Sequence, residues 1–278
     1  MLGQSVFTEN SFSPKQDFEL IFSDDYLEYI VIKTQQLIIH HIKLKTMNDE
    51  QISKFYKKYN IFMPSQVTKA SLKRKCEFFI GRLAAKFALT NLGDYSSFII
   101  EKGLKGEPLW PELVTGSISH SMLNCTQGIA IATAFPINQH PPDKAEIKIQ
   151  NCVNNNDYAA TKFSGIDIET KQNADIFNQN PSILNSLLSP QETKFIHSFL
   201  DKIPALYLIL FSAKESITKV LYSKFQKLIA FNAMHCIALC PITRTLSFYL
   251  PQIATQQKIQ VNFLDLDEEI ITFCCLDS

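Results

Sequence analysis

Residues 165–169 read Gly-Ile-Asp-Ile-Glu, and this short run constrains the rest of the chain more than any other. Side chains alternate across a strand, so Asp167 and Glu169 leave one face while Ile166 and Ile168 leave the other, into a core. A second stretch, Phe-Ser-Ala-Lys-Glu-Ser-Ile-Thr-Lys at 211–219, has helical spacing. Glu215 and Lys219 are four apart and therefore stack on one helix face. Where the strand end and the helix meet, the carboxylates of Asp167, Glu169 and Glu215 converge with one ammonium. A hard cation such as Mg2+ takes oxygen ligands and shares them with substrate phosphates, so the constellation points to a metal and phosphate site. Taken singly, each part has a plainer reading. The strand acids suit a solvated strand end, and Glu215 with Lys219 suits an exposed helix pair worth about 0.3–0.5 kcal/mol.

The chain has 278 residues, enough for a large core and two domains or lobes. A formal net charge of zero argues against a dedicated nucleic-acid binder. Only 8 glycines, with no GxGxxG or Walker sequence, argue against a nucleotide site on a glycine-rich loop. The first ten residues lack the basic and apolar regions of a signal peptide, and the longest apolar run, 205–211, is too short to cross a bilayer. These features predict a cytoplasmic protein with no membrane span. Seven cysteines without a CxxC pair predict free, mostly buried thiols rather than a zinc site.

In chain order, residues 1–16 are polar and predict a ragged start. Strands are expected at 29–32 and 36–44; the adjacent His40 and His41 then face opposite ways, as interface or solvent histidines rather than a metal pair. A helix follows at 48–59 with Asn48 or Asp49 as its cap, and a longer amphipathic one at 69–92, its buried stripe carried by Cys76, Phe79, Ile80, Leu83 and Phe87. The start of that helix holds Lys69, Lys73, Arg74 and Lys75, then Arg82, which reads equally as a solvated face or a phosphate cradle. A strand is expected at 97–100, a glycine- and proline-rich loop at 103–111 with Trp110 packed under it, and an antiparallel pair from 116–121 and 128–134. Ser117, Ser119 and Ser121 line one face of that first strand. Proline- and asparagine-rich residues 136–162 read as a surface excursion. Residues 175–185 fit neither period. Ser189-Pro190 starts a helix to about 200, a long helix covers 205–225, and four strands at 237–239, 246–250, 259–264 and 270–276 form a meander over it. The fold class is α/β in composition, of the α+β kind.

Four blocks stand in a fixed order: KRKCEFFIGRLAAKFAL (73–89), KGEPLWPELVTGSISHS (105–121), SGIDIE (164–169) and FSAKESITK (211–219). The arrangement resembles the 4'-phosphopantetheinyl transferases, in the larger two-lobe branch typified by enterobactin synthetase component D. The resemblance spans roughly residues 73–219. It implies a pseudo-twofold pair of similar lobes, each a small antiparallel sheet packed on a long helix, with boundaries at 1–135 and 163–278 around the 136–162 excursion. It implies transfer of the phosphopantetheine arm of coenzyme A to a serine of an apo acyl or peptidyl carrier protein, with Mg2+, in a monomer. By the same resemblance Asp167, Glu169 and Glu215 match the metal-binding acids, and Glu215 also the base. Lys219 matches the lysine at the pyrophosphate. His120, with Ser119 beside it, matches the contact to the 3'-phosphate of the coenzyme, and Arg74 and Arg82 lie in the basic helix approaching that end. Asp167 would also meet the coenzyme through the cation. Related loops often read Gly-Lys-Pro; here Gly106-Glu107-Pro108 leaves Lys105 to supply the lysine contact. Two other readings use the same residues: a metal-dependent phosphohydrolase of coenzyme A or a nucleotide, and a non-catalytic paralogue that binds a carrier.

Overall fold

The computed structural model describes residues 16–137, 162–253 and 258–277. The ragged start, Cys152 and residues 138–161 of the expected excursion lie outside the described residues.

Two five-stranded sheets, each wholly antiparallel, divide the chain. The first runs β1(Asp17–Ser23), β2(Leu27–Lys33), β3(Ile38–Leu44), β7(Gly128–Pro136) and β6(Val114–Met122), in that spatial order. The second runs β8(Lys162–Thr170), β12(Glu269–Asp277), β11(Lys258–Asp265), β10(Thr245–Tyr249) and β9(His235–Cys240). A two-stranded ribbon, β4(Glu101–Lys102) with β5(Pro108–Leu109), projects from the first lobe. Each main sheet packs on one long helix, α3(Leu72–Thr90) in the first lobe and α7(Leu206–Phe225) in the second. The lobes thus share a layer plan, while the chain threads them differently: three strands precede α3, and one strand precedes α7 within its sheet.

The helix starts follow local capping chemistry. Asn48 and Gln51 form a reciprocal box at the head of α1(Asp49–Lys58). Ser71 accepts from the Arg74 N–H, so α3 begins at Leu72 rather than at Lys69, and residues 65–68 form a separate turn of helix, α2(Ser65–Thr68). Ser189 and Glu192 box the start of α6(Pro190–His197), which ends before Leu200. The ambiguous stretch resolves into two short helices, α4(Asp175–Gln179) and α5(Pro181–Leu187).

Residues 97–100 are not a strand. Their neighbour in the ribbon is only two residues long, and Phe98 and Ile99 are exposed, so neither a ladder nor a buried face holds them extended. Conversely, β1 is a strand that periodicity hides. It lies at a sheet edge with Phe18, Leu20 and Ile21 all exposed, held by its pairing to β2 and by Phe22, which packs on the first-lobe core.

Three apolar clusters result. One lies between α3 and the first sheet, one between α7 and the second. The third joins the lobes: Ile32, Ile39, Ile129 and Ile131 of the first meet Ile166, Ile168, Leu264 and Ile271 of the second. On β3, His40 turns into the first-lobe core, where its Nδ1 lies 2.7 Å from the Tyr29 hydroxyl. His41 turns to the other lobe, with Nε2 3.0 Å from Glu269 Oε1, though not aligned as a hydrogen bond. Of the described cysteines, Cys76, Cys236 and Cys274 are buried and Cys125 is exposed. No described helix is long and apolar enough to cross a membrane.

Candidate active site

Edge strands β6 and β8 run side by side in the same direction, and the site forms where they meet. Ser119 Oγ donates to Asp167 Oδ1 at 2.7 Å and Ser121 Oγ to Glu169 Oε2 at 3.1 Å, the same 48-residue offset each time. The Ile166 N–H donates to Ser117 Oγ at 3.1 Å. The hydroxyl face of β6 is therefore spent on β8. Ile166 and Ile168 point the other way, into the cluster between the lobes.

Helix α7 crosses β8 at Gly165. A Cβ there would sit 1.8 Å from the Ser216 carbonyl oxygen, so only glycine admits this approach. Behind the helix, Ser212 and Ser216 hydroxyls bond Thr272 of β12, at 2.9 and 2.7 Å between the hydroxyl oxygens. Lys214, wholly buried, donates to both oxygens of Glu192 at 2.8 and 3.0 Å and to the carbonyls of Leu187 and Phe231. Glu192 also accepts from the Cys236 and Ser189 N–H groups. With Lys214 fixed behind, the next residue, Glu215, faces the cleft, and Lys219 follows one turn on.

A cavity of about 400 Å³ holds these groups. Arg74, Arg82, Ser119, His120, Asp167, Glu169, Glu215 and Lys219 all line it, so eight of the residues singled out from the sequence meet in one place. Lys105 does not. It borders an adjoining cavity of about 660 Å³, and Lys102 is the ribbon lysine at the polar one. The larger cavity is walled by Trp110, Val114, Phe163, Tyr222 and Leu228; the two share Gly106, Pro108, Ile118 and Lys219. Trp110 is thus both packed, against Gly116, and part of a cavity wall. Glu107, where a lysine was the pattern, accepts from the Lys105 N–H at 2.9 Å and bonds the Tyr222 side chain of α7.

The electrostatics are those of crowded, partly dehydrated charge. Lys219 Nζ donates to Asp167 Oδ1 at 2.7 Å and to the Ile166 carbonyl at 3.0 Å. Burial and then the Asp167 charge push Glu169 up to about 7, against the pull of Asn173, Ser121 and Lys219. Burial also raises Glu215. Protein packed around His120 lowers its pKa and favours the neutral ring, although the side chain itself opens to solvent. Arg82 is brought down to about 10, mainly by burial. Its Nε is buried without a partner among the described residues and its guanidinium lies 4.8 Å from the Phe78 ring centre. Arg74 is paired to Glu77 at 3.1 Å. Glu77, Lys102 and Asn173 were not singled out from the sequence; Glu77 is three residues from Arg74 in the same helix, Asn173 four residues beyond Glu169, and Lys102 reaches the site through tertiary folding.

The donor set fits a divalent cation that brings its remaining ligands with it. Asp167 Oδ2 is buried with no partner among the described residues, and the Asp167 charge adds to the cost of ionising Glu169. Among the described residues no three acids or histidines are already gathered to hold an ion alone. One or two carboxylates plus substrate phosphates is the usual manner of binding Mg2+.

Residues 63–133 match the model of the 4'-phosphopantetheinyl transferase N-terminal domain, and residues 164–274 match that of the 4'-phosphopantetheinyl transferase superfamily. The chain belongs to this family. Over 208 residues, 73% of this chain and 72% of the relative, the transferase is 27% identical to enterobactin synthase component D of Salmonella typhimurium strain LT2. Both matched segments contribute to the cavity: Arg74, Arg82 and His120 come from the first, Asp167, Glu169, Glu215 and Lys219 from the second.

Proposed function

We propose that this transferase moves the 4'-phosphopantetheine arm of coenzyme A to a serine of an apo peptidyl or acyl carrier protein and releases 3',5'-ADP. The observation that carries the reading is the pair of joined cavities sharing Lys219. One is lined by acids, arginines and a histidine; the other is mostly apolar. A substrate with phosphates at one end and a long, uncharged arm at the other matches both.

In this reading Arg74, Arg82 and His120 take the 3'-phosphate. Arginine suits it through its planar fork, and Arg82 has an unused buried N–H to offer. Asp167 and Glu169, with Glu215, hold Mg2+, which when bound offsets the charge of the pyrophosphate against an incoming oxygen. Glu215 takes the proton of the carrier serine, burial making it a stronger base than an exposed carboxylate. The serine oxygen bonds to the phosphorus that carries the arm, the bond to the bridging oxygen breaks, and that oxygen leaves with 3',5'-ADP. Lys219 turns from Asp167 to the departing phosphate and offsets its charge. The catalytic demand is positioning and charge, as in phosphoryl transfers generally. The protein acts in the cytoplasm as a monomer, on carriers of siderophore, nonribosomal peptide or polyketide assembly.

The test is intact mass of apo carriers after incubation with the protein, coenzyme A and Mg2+, beside an EDTA control. A gain of one phosphopantetheine that EDTA abolishes is the expected result. No gain across peptidyl and acyl carriers, with coenzyme A consumed, would replace this reading with the phosphohydrolase.

A further inference from the structure

Both strand acids are tied by one oxygen. Asp167 Oδ1 receives Ser119 Oγ and Lys219 Nζ, each at 2.7 Å, while Oδ2 is buried with no partner among the described residues. Glu169 Oε2 receives Ser121 Oγ at 3.1 Å and Asn173 Nδ2 at 3.0 Å, and Oε1 receives no hydrogen bond from the described residues. Two donors on one oxygen hold a carboxylate's rotation and leave the second oxygen turned toward whatever the cavity contains. A side chain held in this way loses less conformational freedom when it takes a ligand.

We propose that Ser121 and Asn173 are positioning residues, which fix Glu169 so that its other oxygen is presented to the divalent cation. The inference rests on the metal role given to Glu169 above. The two donors come from opposite lobes. Ser121 belongs to β6 of the first sheet, and Asn173 to the 3-10 turn Lys171–Asn173 just after β8. The cation site is thereby set across the boundary between lobes, by side chains that never touch the cation.

The same ladder supplies its own control. Ser117, two residues along the same face from Ser119, accepts from the Ile166 N–H and touches neither acid. If the serines only clasp two strands, Ser117 and Ser121 are equivalent. If Ser121 orients Glu169, they differ in what they do to metal binding.

The experiment uses the full chain with Mn2+ as probe, followed by the electron paramagnetic resonance of the free ion, in saturating coenzyme A. Ser121→Ala and Asn173→Ala should each weaken Mn2+ binding about tenfold, the low end for losing a group that orients a metal ligand. Ser121→Thr should restore it and Ser117→Ala should leave it unchanged. Coenzyme A binding in EDTA should be alike in all. In transfer assays the Mg2+ needed for half-maximal rate should rise by the same factor, with the rate at saturating Mg2+ near that of the parent. Asn173 lies outside both sheets, so it tests the same oxygen if Ser121→Ala folds poorly. Unchanged Mn2+ affinity in both variants would overturn the inference, as would an equal loss in Ser117→Ala or a parent that binds no Mn2+. Carriers left unmodified while the Mn2+ pattern holds would remove the transferase reading and keep the positioning role.

Discussion

Glu215 differs from its neighbours among the acids in having no hydrogen bond to the described residues, so a substitution there disturbs the least around it. Glu215→Gln keeps its shape and removes the base. Turnover on an apo carrier should fall by about 10²–10⁴-fold with coenzyme A binding largely kept, as single-turnover rates and calorimetry would show. Unchanged turnover would take the role of base from Glu215. His40 sets a separate, pH-dependent expectation. Burial holds it at about 4, below the ordinary histidine value of 6.5, with the Tyr29 hydroxyl 2.7 Å from its Nδ1. Because the folded pKa is depressed, the unfolded chain binds the extra proton first. The stability is fully present above about 6.5 and is lost as pH falls toward 4. Between about pH 7 and pH 5 that amounts to about 2 kcal/mol, measurable by urea unfolding and missing from the pH dependence of His40→Gln. At this scale much of the site could be read in advance. Asp167 and Glu169 alternate on a strand and Glu215 and Lys219 repeat at helical spacing, both local patterns. Asn173 and Glu77 contact residues only four and three positions away, at Glu169 and Arg74, but neither spacing marks a site by itself, and Lys102 owes its place to the packing of ribbon against helix.

For the elements, helix α7 shows where periodicity stops short. Its apolar stripe, from Leu206 through Leu210, Ala213, Ile217 and Leu221, is buried as the spacing required. Lys214 is equally buried, which spacing alone would never assign to a lysine; its partner Glu192 lies 22 residues earlier, in the first turn of another helix. Lys214→Met should leave Glu192 an unpaired buried charge and cost about 3–5 kcal/mol, while Lys214→Met with Glu192→Leu should recover only part of it, because the Ser189 and Cys236 N–H groups and the Leu187 and Phe231 carbonyls then lose their partners. Equal denaturation midpoints for the parent and the single variant would refute this. The strand errors have a similar origin. Residues 17–23 become a strand because a neighbour's backbone pairs with them, and residues 97–100 do not because no neighbour is there. Neither fact shows in the periodicity of the segment itself, where Phe22 alone of residues 17–23 packs on the core.

Over the whole molecule, the cluster shared by the lobes makes their unfolding one event. Ile131 of β7 is fully buried in that cluster, opposite Ile166 and Ile168 of the second sheet. Ile131→Ala should cost about 2–5 kcal/mol, and hydrogen exchange should rise together in α3 and α7. A rise confined to α3 would mean that the lobes open independently. The two layers, their long helices, the β6–β7 pair and the β9–β12 meander could be read from the chain, but not the joining of β3 to β7, of β8 to β12 or the meeting of β6 with β8, since these bring together segments about fifty residues or more apart. One consequence lies in the wall of the larger cavity. The chain has a single tryptophan, and its indole N–H is buried there without a partner among the described residues. Tryptophan emission from this protein is therefore a local signal, free of any second fluorophore of its kind. Coenzyme A should shift or quench it, while 3',5'-ADP, which has no arm to enter that cavity, should leave the spectrum nearly unchanged. The molecule thus contains an unlabelled optical reporter that distinguishes one end of its substrate from the other.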